Sequence, residues 1–126
     1  MPPEAPSSRP LAEHLAAHPR SARLLDAVRS VLGGIGPTEE VLSRSQVAFR
    51  RRRVVVRAWV PDQYLRGDHA PLVLTFEFAE ADASERWKQV LEPAPGRFTH
   101  HLEVWEPSDL DADVESWLRR AYDAAA

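Results

Sequence analysis

The chain predicts a two-layer α+β fold, an antiparallel meander sheet with two N-terminal helices and one C-terminal amphipathic helix packed on one face. Three observations lead there. Apolar residues recur at helical spacing before Gly33-Gly34, the periodicity changes to two from Glu40 onward, and a helical stripe returns after Pro107. Helices segregated at the two ends of a run of strands bury their stripes on one sheet face and leave the other open. That open face is where function is expected.

The elements follow in order. Met1–Arg9 (MPPEAPSSR) carries too few apolar groups to offset its ordering entropy and reads as a disordered leader to a single α+β domain at 10–126. A short helix is predicted from Pro10 to His18, with Leu11 and Leu15 one turn apart and Pro19 disfavouring helix at His18. A second begins near Pro19 or Ser21. Its Leu24, Val28, Val31 and Leu32 form one face, and Gly33-Gly34 supplies the stop. Val41 to Ser43 and Gln46 to Arg50 read as short strands, and Arg53 to Val60 as a longer one rich in β-branched residues. Simple alternation there puts Val54, Val56, Ala58 and Val60 on one face and Arg53, Val55, Arg57 and Trp59 on the other. Asp62 to Pro71, which includes Tyr64 and Leu65, reads as a long loop. Leu72 to Ala79 alternates cleanly, with Leu72, Leu74, Phe76 and Phe78 inward and Val73, Thr75 and Glu77 outward. Trp87 to Glu92 and Arg97 to Trp105 flank Pro93-Ala94-Pro95-Gly96 as a hairpin. Ser108 is the expected N-cap of the last helix. Leu110, Val114, Trp117, Leu118, Ala121 and Tyr122 are its apolar stripe.

Composition narrows the function classes without choosing among them. The 126 residues are 44% hydrophobic and 28% charged, with a net charge of −3, so no global charge draws the chain to nucleic acid or membrane. The absence of cysteine removes disulfides, thiol nucleophiles and thiolate metal sites. With neither a signal-like apolar segment nor a long apolar run, the chain reads as soluble and cytoplasmic, with no membrane partner. No Gly-rich phosphate loop, nucleophile elbow or HExxH is present, and neither a cofactor nor a metal is expected.

Three groups of residues carry possible chemistry. Arg44, Arg50, Arg51, Arg52, Arg53 and Arg57 lie on one predicted hairpin with no acidic residue among them. Guanidinium groups fork onto phosphate or carboxylate, but a charged hairpin is also an ordinary solvated edge. In the second group, His100 and His101 are neighbours on a strand and face opposite ways, so they do not converge on one ion. His100 is expected on the core side with Phe98 and Leu102, and His101 outward with Thr99, Glu103 and Trp105. His69, Glu77 or Glu103 beside either histidine would make an acid–base pair or metal site, and a satisfied structural histidine is the competing reading. The third group depends on register. If Leu91 pairs with Phe98, then Lys88 faces His101 and Arg86 faces Glu103, and the outer face carries Arg86, Lys88, His101 and Trp105 as a shallow anion site or a salt-bridged surface.

The segments HPRSARLLDAV, SRSQVAFRRRRVVV, APLVLTF, ERWKQVLEPAPGRFTHHLEVW and DLDADVESWLRRAYDAA together resemble an uncharacterised prokaryotic family of domains of unknown function, over roughly His18 to Tyr122. The resemblance implies a domain found alone or appended to larger proteins, in a binding or accessory role, with no established reaction. It also implies a lysine after a serine or threonine in the first hairpin, where this chain has Gln46.

The leading expectation is a non-catalytic module for an anionic ligand, protein or nucleic acid, using Arg51, Arg53, Arg57, Arg86, Lys88 and His101. A small His- or metal-dependent enzyme is the first alternative. A self-associating domain, such as a homodimer formed through Val55, Trp59 and Trp105, is the second.

Overall fold

The computed structural model describes residues 10–63 and 65–126. The leader expected at Met1–Arg9, and Tyr64 of the long loop, lie outside the described residues. Helices α1 (Leu11–Ala17) and α2 (Pro19–Ile35) come first, followed by β1 (Glu39–Leu42), β2 (Val47–Arg50) and β3 (Val54–Trp59). After a 3-10 turn at Pro61–Gln63 come β4 (Leu72–Phe78), β5 (Gln89–Ala94) and β6 (Arg97–Val104), then a 3-10 turn at Pro107–Asp109 and α3 (Ala112–Ala124). The strands form one open antiparallel sheet in the order β1-β2-β3-β4-β6-β5. This is the α+β class that the periodicities predict. Only the first four strands follow a simple meander, because β6 rather than β5 lies beside β4.

That order makes β4 and β5 parallel with β6 between them, so the segment 79–88 must cross β6. It crosses on the helical face: the Asp82 amide donates to His100 Nε2 at 2.9 Å, and the Trp87 ring stacks at 4.2 Å on Trp117 of α3. Trp87 also meets Phe76 and Phe78 edge-on. On this face Leu72, Leu74, Phe76 and Phe78 lie opposite Val104, Leu102, His100 and Phe98. Leu24, Leu25, Val28 and Leu32 of α2, with Val114, Trp117, Leu118, Ala121 and Tyr122 of α3, bury against the sheet. Each large apolar side chain sunk here contributes roughly 1.5–3 kcal/mol.

Four local expectations are corrected. Helix α2 runs through Gly33-Gly34 to Ile35 and ends at Gly36, which is followed by Pro37, a residue that disfavours helix before it. The N-cap of α3 is Asp111, whose carboxylate accepts from the Val114 amide at 3.2 Å, and not Ser108. Glu106 and Asp109 form their own capping box around the 3-10 turn, which delays the helix. In the last hairpin Leu91 pairs with Thr99 instead of Phe98, because an irregularity between Leu91 and Ala94 accommodates Pro93 before the tight Pro95-Gly96 turn. Gly96 takes the positive φ of 72° that this turn requires. Finally, Phe49 pairs with Val56 but Arg50 with Val54, so Val55 is an extra residue in β3. The bulge breaks the alternation, and Val55 is buried at 3% exposure, not outward with Arg57 and Trp59.

The end of α3 is fastened to the β2–β3 turn, where the Arg52 and Arg53 amides both donate to the Ala125 carbonyl at 3.0 Å. Its other tie is to the end of α2: the Tyr122 hydroxyl donates to the Pro37 carbonyl at 3.2 Å and packs where a Cβ on Gly36 would stand. Gly36→Ala is therefore expected to lose about 1–3 kcal/mol through overpacking. Gly33→Ala, inside the helix with open space around it, is expected to gain roughly 0.5–1 kcal/mol. Urea denaturation of the two variants checks both signs.

Candidate functional site

The outer face of the sheet carries one continuous row, Ala48–Arg57–Thr75–His101–Gln89, set by the registers of β2, β3, β4, β6 and β5. Strands β3 and β4 pair only at Trp59–Val73, Ala58–Leu74 and Arg57–Thr75. On its other side β4 stays paired with β6 as far as Phe78–Phe98. Below Arg57 and Thr75 the two central strands therefore part, at the point where the bulge turns Val55 inward. A cleft of about 450 Å³ opens there. Val54, Val55, Phe78 and the small Ala121, Ala124 and Ala125 of the α3 end wall it, and its charged lining is Arg53, Arg57, Arg97 and Glu77.

Three arginines and one carboxylate thus line the cleft. Arg57 Nη1 lies 3.4 Å from Glu77 Oε1, and Arg97 Nη2 lies 3.1 Å from Glu77 Oε2. Arg53 makes no ion pair among the described residues. The pairs are partly exposed and worth about 0.2–1 kcal/mol each, so Glu77 holds the arginines in place without committing them.

Arg57 and Thr75 also line a second, adjoining pocket of about 320 Å³, completed by Ser45, Gln46, Trp59 and His101. Here the Trp59 indole N–H donates to Thr75 Oγ1 at 3.2 Å, and Thr75 Oγ1 shares a hydrogen with His101 Nδ1 at 2.9 Å. The Trp59 and His101 rings meet edge-on at 6.3 Å. The hydroxyl fixes both rings, leaving His101 Nε2 without a partner among the described residues.

The expected ligand residues separate accordingly. Arg53 and Arg57 share the cleft, and Arg57 and His101 share the second pocket. Arg51 lies 4.4 Å over the Tyr122 ring and donates to the Tyr122 carbonyl, bound to the end of α3. Arg86 lies on the helical side: it grips both oxygens of Asp111 at 2.7 and 2.8 Å, donates to the Asp109 carbonyl and sits over Trp117. The expectation of Arg86 beside Lys88 and His101 on one face is thus corrected, because the crossover carries Arg86 in with its buried neighbour Trp87. Lys88 is largely exposed, 4.0 Å from Glu103, and the one-residue register change sets Gln89 opposite His101 in its place. Arg97 and Thr75 are functional candidates that lie outside the residue groups expected from sequence, and Trp59, expected there only at a self-association surface, joins them. Arg97 was signalled by its place after the Pro95-Gly96 turn and Thr75 by the outward alternation of β4.

The histidines divide as their alternation predicts. His100 is fully buried on the core side; its Nδ1–H donates to the Phe98 carbonyl at 3.0 Å and its Nε2 accepts from the Asp82 amide, so both ring nitrogens are used by the neutral form. Burial pushes its pKa below the ordinary 6.5, against the weaker opposing effects of the Phe98 carbonyl and Asp82. Burial, followed by the nearness of His100, also lowers that of His101. His69 hydrogen-bonds to the Arg66 carbonyl in the long loop, and among the described residues no group of three His, Asp or Glu side chains is placed to hold a metal ion. For Asp82, burial opposes ionisation, but the Trp87 indole, the Ser84 amide and Arg120 together hold its carboxyl below the usual range. Arg86 and the Val114 amide do the same for Asp111.

Fold and site together define a small α+β domain with an arginine-lined cleft where the two central strands of its sheet part. Residues 11–125 match the family described as Domain of unknown function (DUF5655), and the chain belongs to that family. The family's description assigns it no activity. No curated protein and no solved structure gives a significant match. Among the described residues no helix is long and apolar enough to cross a membrane.

The lowered histidine pKa values fix the sign of a pH effect. A group whose folded pKa lies below its unfolded value stabilises the fold above the unfolded value, and that contribution is lost as pH falls through and below 6.5. Urea midpoints are expected to fall between pH 7.5 and pH 5. His100→Gln should lower stability at pH 7.5 and flatten this dependence. The contributions of Asp82 and Asp111 lie in a separate window, lost only as pH falls below 3.8.

Proposed function

We propose that the chain is a non-catalytic binding module whose cleft between β3 and β4 receives the anionic group of a ligand, held by Arg53, Arg57 and Arg97. The observation that carries this reading is the imbalance inside the cleft, which three arginines line against one carboxylate, paired with two of them, in a chain whose net charge is −3. Guanidinium forks match phosphate and carboxylate oxygens, and Val54, Val55 and Phe78 supply an apolar wall beside them. Glu77 is then a resident counter-ion that an entering anion displaces. The site residues are narrowed to this cleft, since Arg51 and Arg86 already satisfy the two ends of α3 and Lys88 lies out on the sheet edge.

Calorimetric titration with inorganic phosphate at low salt tests it. Losing one charge-assisted pair costs about 1.5–3 kcal/mol, so Arg53→Ala or Arg97→Ala is expected to weaken binding by about tenfold or more. Glu77→Gln is expected to strengthen it by removing the competitor. The proposal is abandoned if phosphate does not bind saturably, or if the double change Arg53→Glu, Arg97→Glu leaves its affinity unaltered.

A further inference from the structure

The arginine cleft and the Trp59 pocket adjoin, because Arg57 and Thr75 line both. Arg57 and Trp59 stand two residues apart on the same face of β3, a separation of about 6.6 Å along the strand. The pocket around Trp59 differs chemically from the cleft. Its aromatic side chain is half-exposed and held in place by the Thr75 hydroxyl. Around it stand Ser45 Oγ, the Gln46 side-chain carboxamide and His101 Nε2, none of which makes a hydrogen bond to another described residue. A small anion fills only the cleft and leaves this ring and these polar atoms unused.

We infer that the ligand is a mononucleotide, with its phosphate on Arg53, Arg57 and Arg97 and its base stacked on Trp59, where Gln46, Ser45 and His101 read the base edge. The inference rests on the anion-binding reading of the cleft and names its ligand class. Each half of the groove supplies one part of that chemistry. Guanidinium forks take a dianionic phosphate, which outcompetes the single charge of Glu77. An aromatic face accepts any base, and a carboxamide offers a donor and an acceptor together. A nucleic-acid strand is the less suited ligand, because it needs successive stacking platforms and a continuous basic track. Beyond Trp59 and His101 the outer face presents Glu103, with Lys88 beside it.

Calorimetry on the full chain with adenosine monophosphate, uridine monophosphate, ribose 5-phosphate, inorganic phosphate and a ten-residue oligothymidine separates the outcomes. At least one of the two nucleotides is expected to bind about tenfold or more tighter than ribose 5-phosphate, the gain of one stacked base. Trp59→Leu should remove that difference while leaving ribose 5-phosphate affinity unchanged. Gln46→Ala, an irregular-segment change that leaves the strands intact, should weaken the favoured nucleotide alone and serves if Trp59→Leu does not fold. Equal affinity for both nucleotides and ribose 5-phosphate overturns the nucleotide inference and leaves the anion cleft standing. Tighter binding of the oligothymidine than of either nucleotide also overturns it. Absence of binding by every phosphate compound overturns the anion cleft first and this inference with it.

Discussion

Val55 occupies one residue more in β3 than its partner strand can match, and the groove depends on that surplus. With Phe49 opposite Val56 and Arg50 opposite Val54, Val55 turns into the core beside Val56. The exchange is favourable. Burying a valine side chain contributes roughly 1.5–3 kcal/mol, against about 0.5–1.5 kcal/mol for a ladder hydrogen bond given up. Below Arg57 the start of β3 is drawn toward the end of α3, where the Ala125 carbonyl receives the Arg52 and Arg53 amides. Strand β4 continues straight along β6. The separation that results would fill with side chains if α3 ended in large residues, but Ala121, Ala124 and Ala125 leave it open.

The second constraint is the crossover of residues 79–88. Placing β5 beyond β6 obliges this segment to traverse a buried face, where its backbone groups need partners away from water. His100 answers one of them by accepting the Asp82 amide, and Asp82 in turn receives the Trp87 indole N–H and the Ser84 amide. Trp87 then completes a ring layer with Phe76, Phe78, His100 and Trp117. This topology assigns roles to neighbours in sequence: His100 braces the crossover while His101 turns out to Thr75, and Trp87 sinks while Arg86 caps the helical layer.

What the sequence made legible was whatever depends on periodicity within one element. The inward row of β4, the stripe of α3 and the opposite facing of His100 and His101 all follow from spacing alone, and so does the two-layer arrangement. What it hid depends on pairing between elements. A run of three valines at 54–56 reads the same with or without a bulge, because every position is apolar. Pro93 concealed a one-residue change of register that sets Gln89 rather than Lys88 opposite His101. Nor does any local signal show that β6 inserts beside β4, the step that carries Arg86 to the other side of the sheet. Of the candidate site, Arg53, Arg57 and His101 belong by alternation alone to one basic face. Their division between a cleft and an aromatic pocket required the splay of β3 from β4.

Glu77 makes the arrangement physically tenable. Three guanidinium groups around one opening repel one another, and without an anion the side chains would swing apart into water. A single carboxylate reaching Arg57 on one oxygen and Arg97 on the other holds two of them together at the opening. Because these pairs are partly exposed, each contributes only about 0.2–1 kcal/mol, and the proposed anion would lose little by displacing them. A buried carboxylate would be held far more strongly, since removing its partners leaves a desolvated charge. The cleft is thus shaped by an ion pair weak enough to exchange, at the place where two strands have ceased to pair.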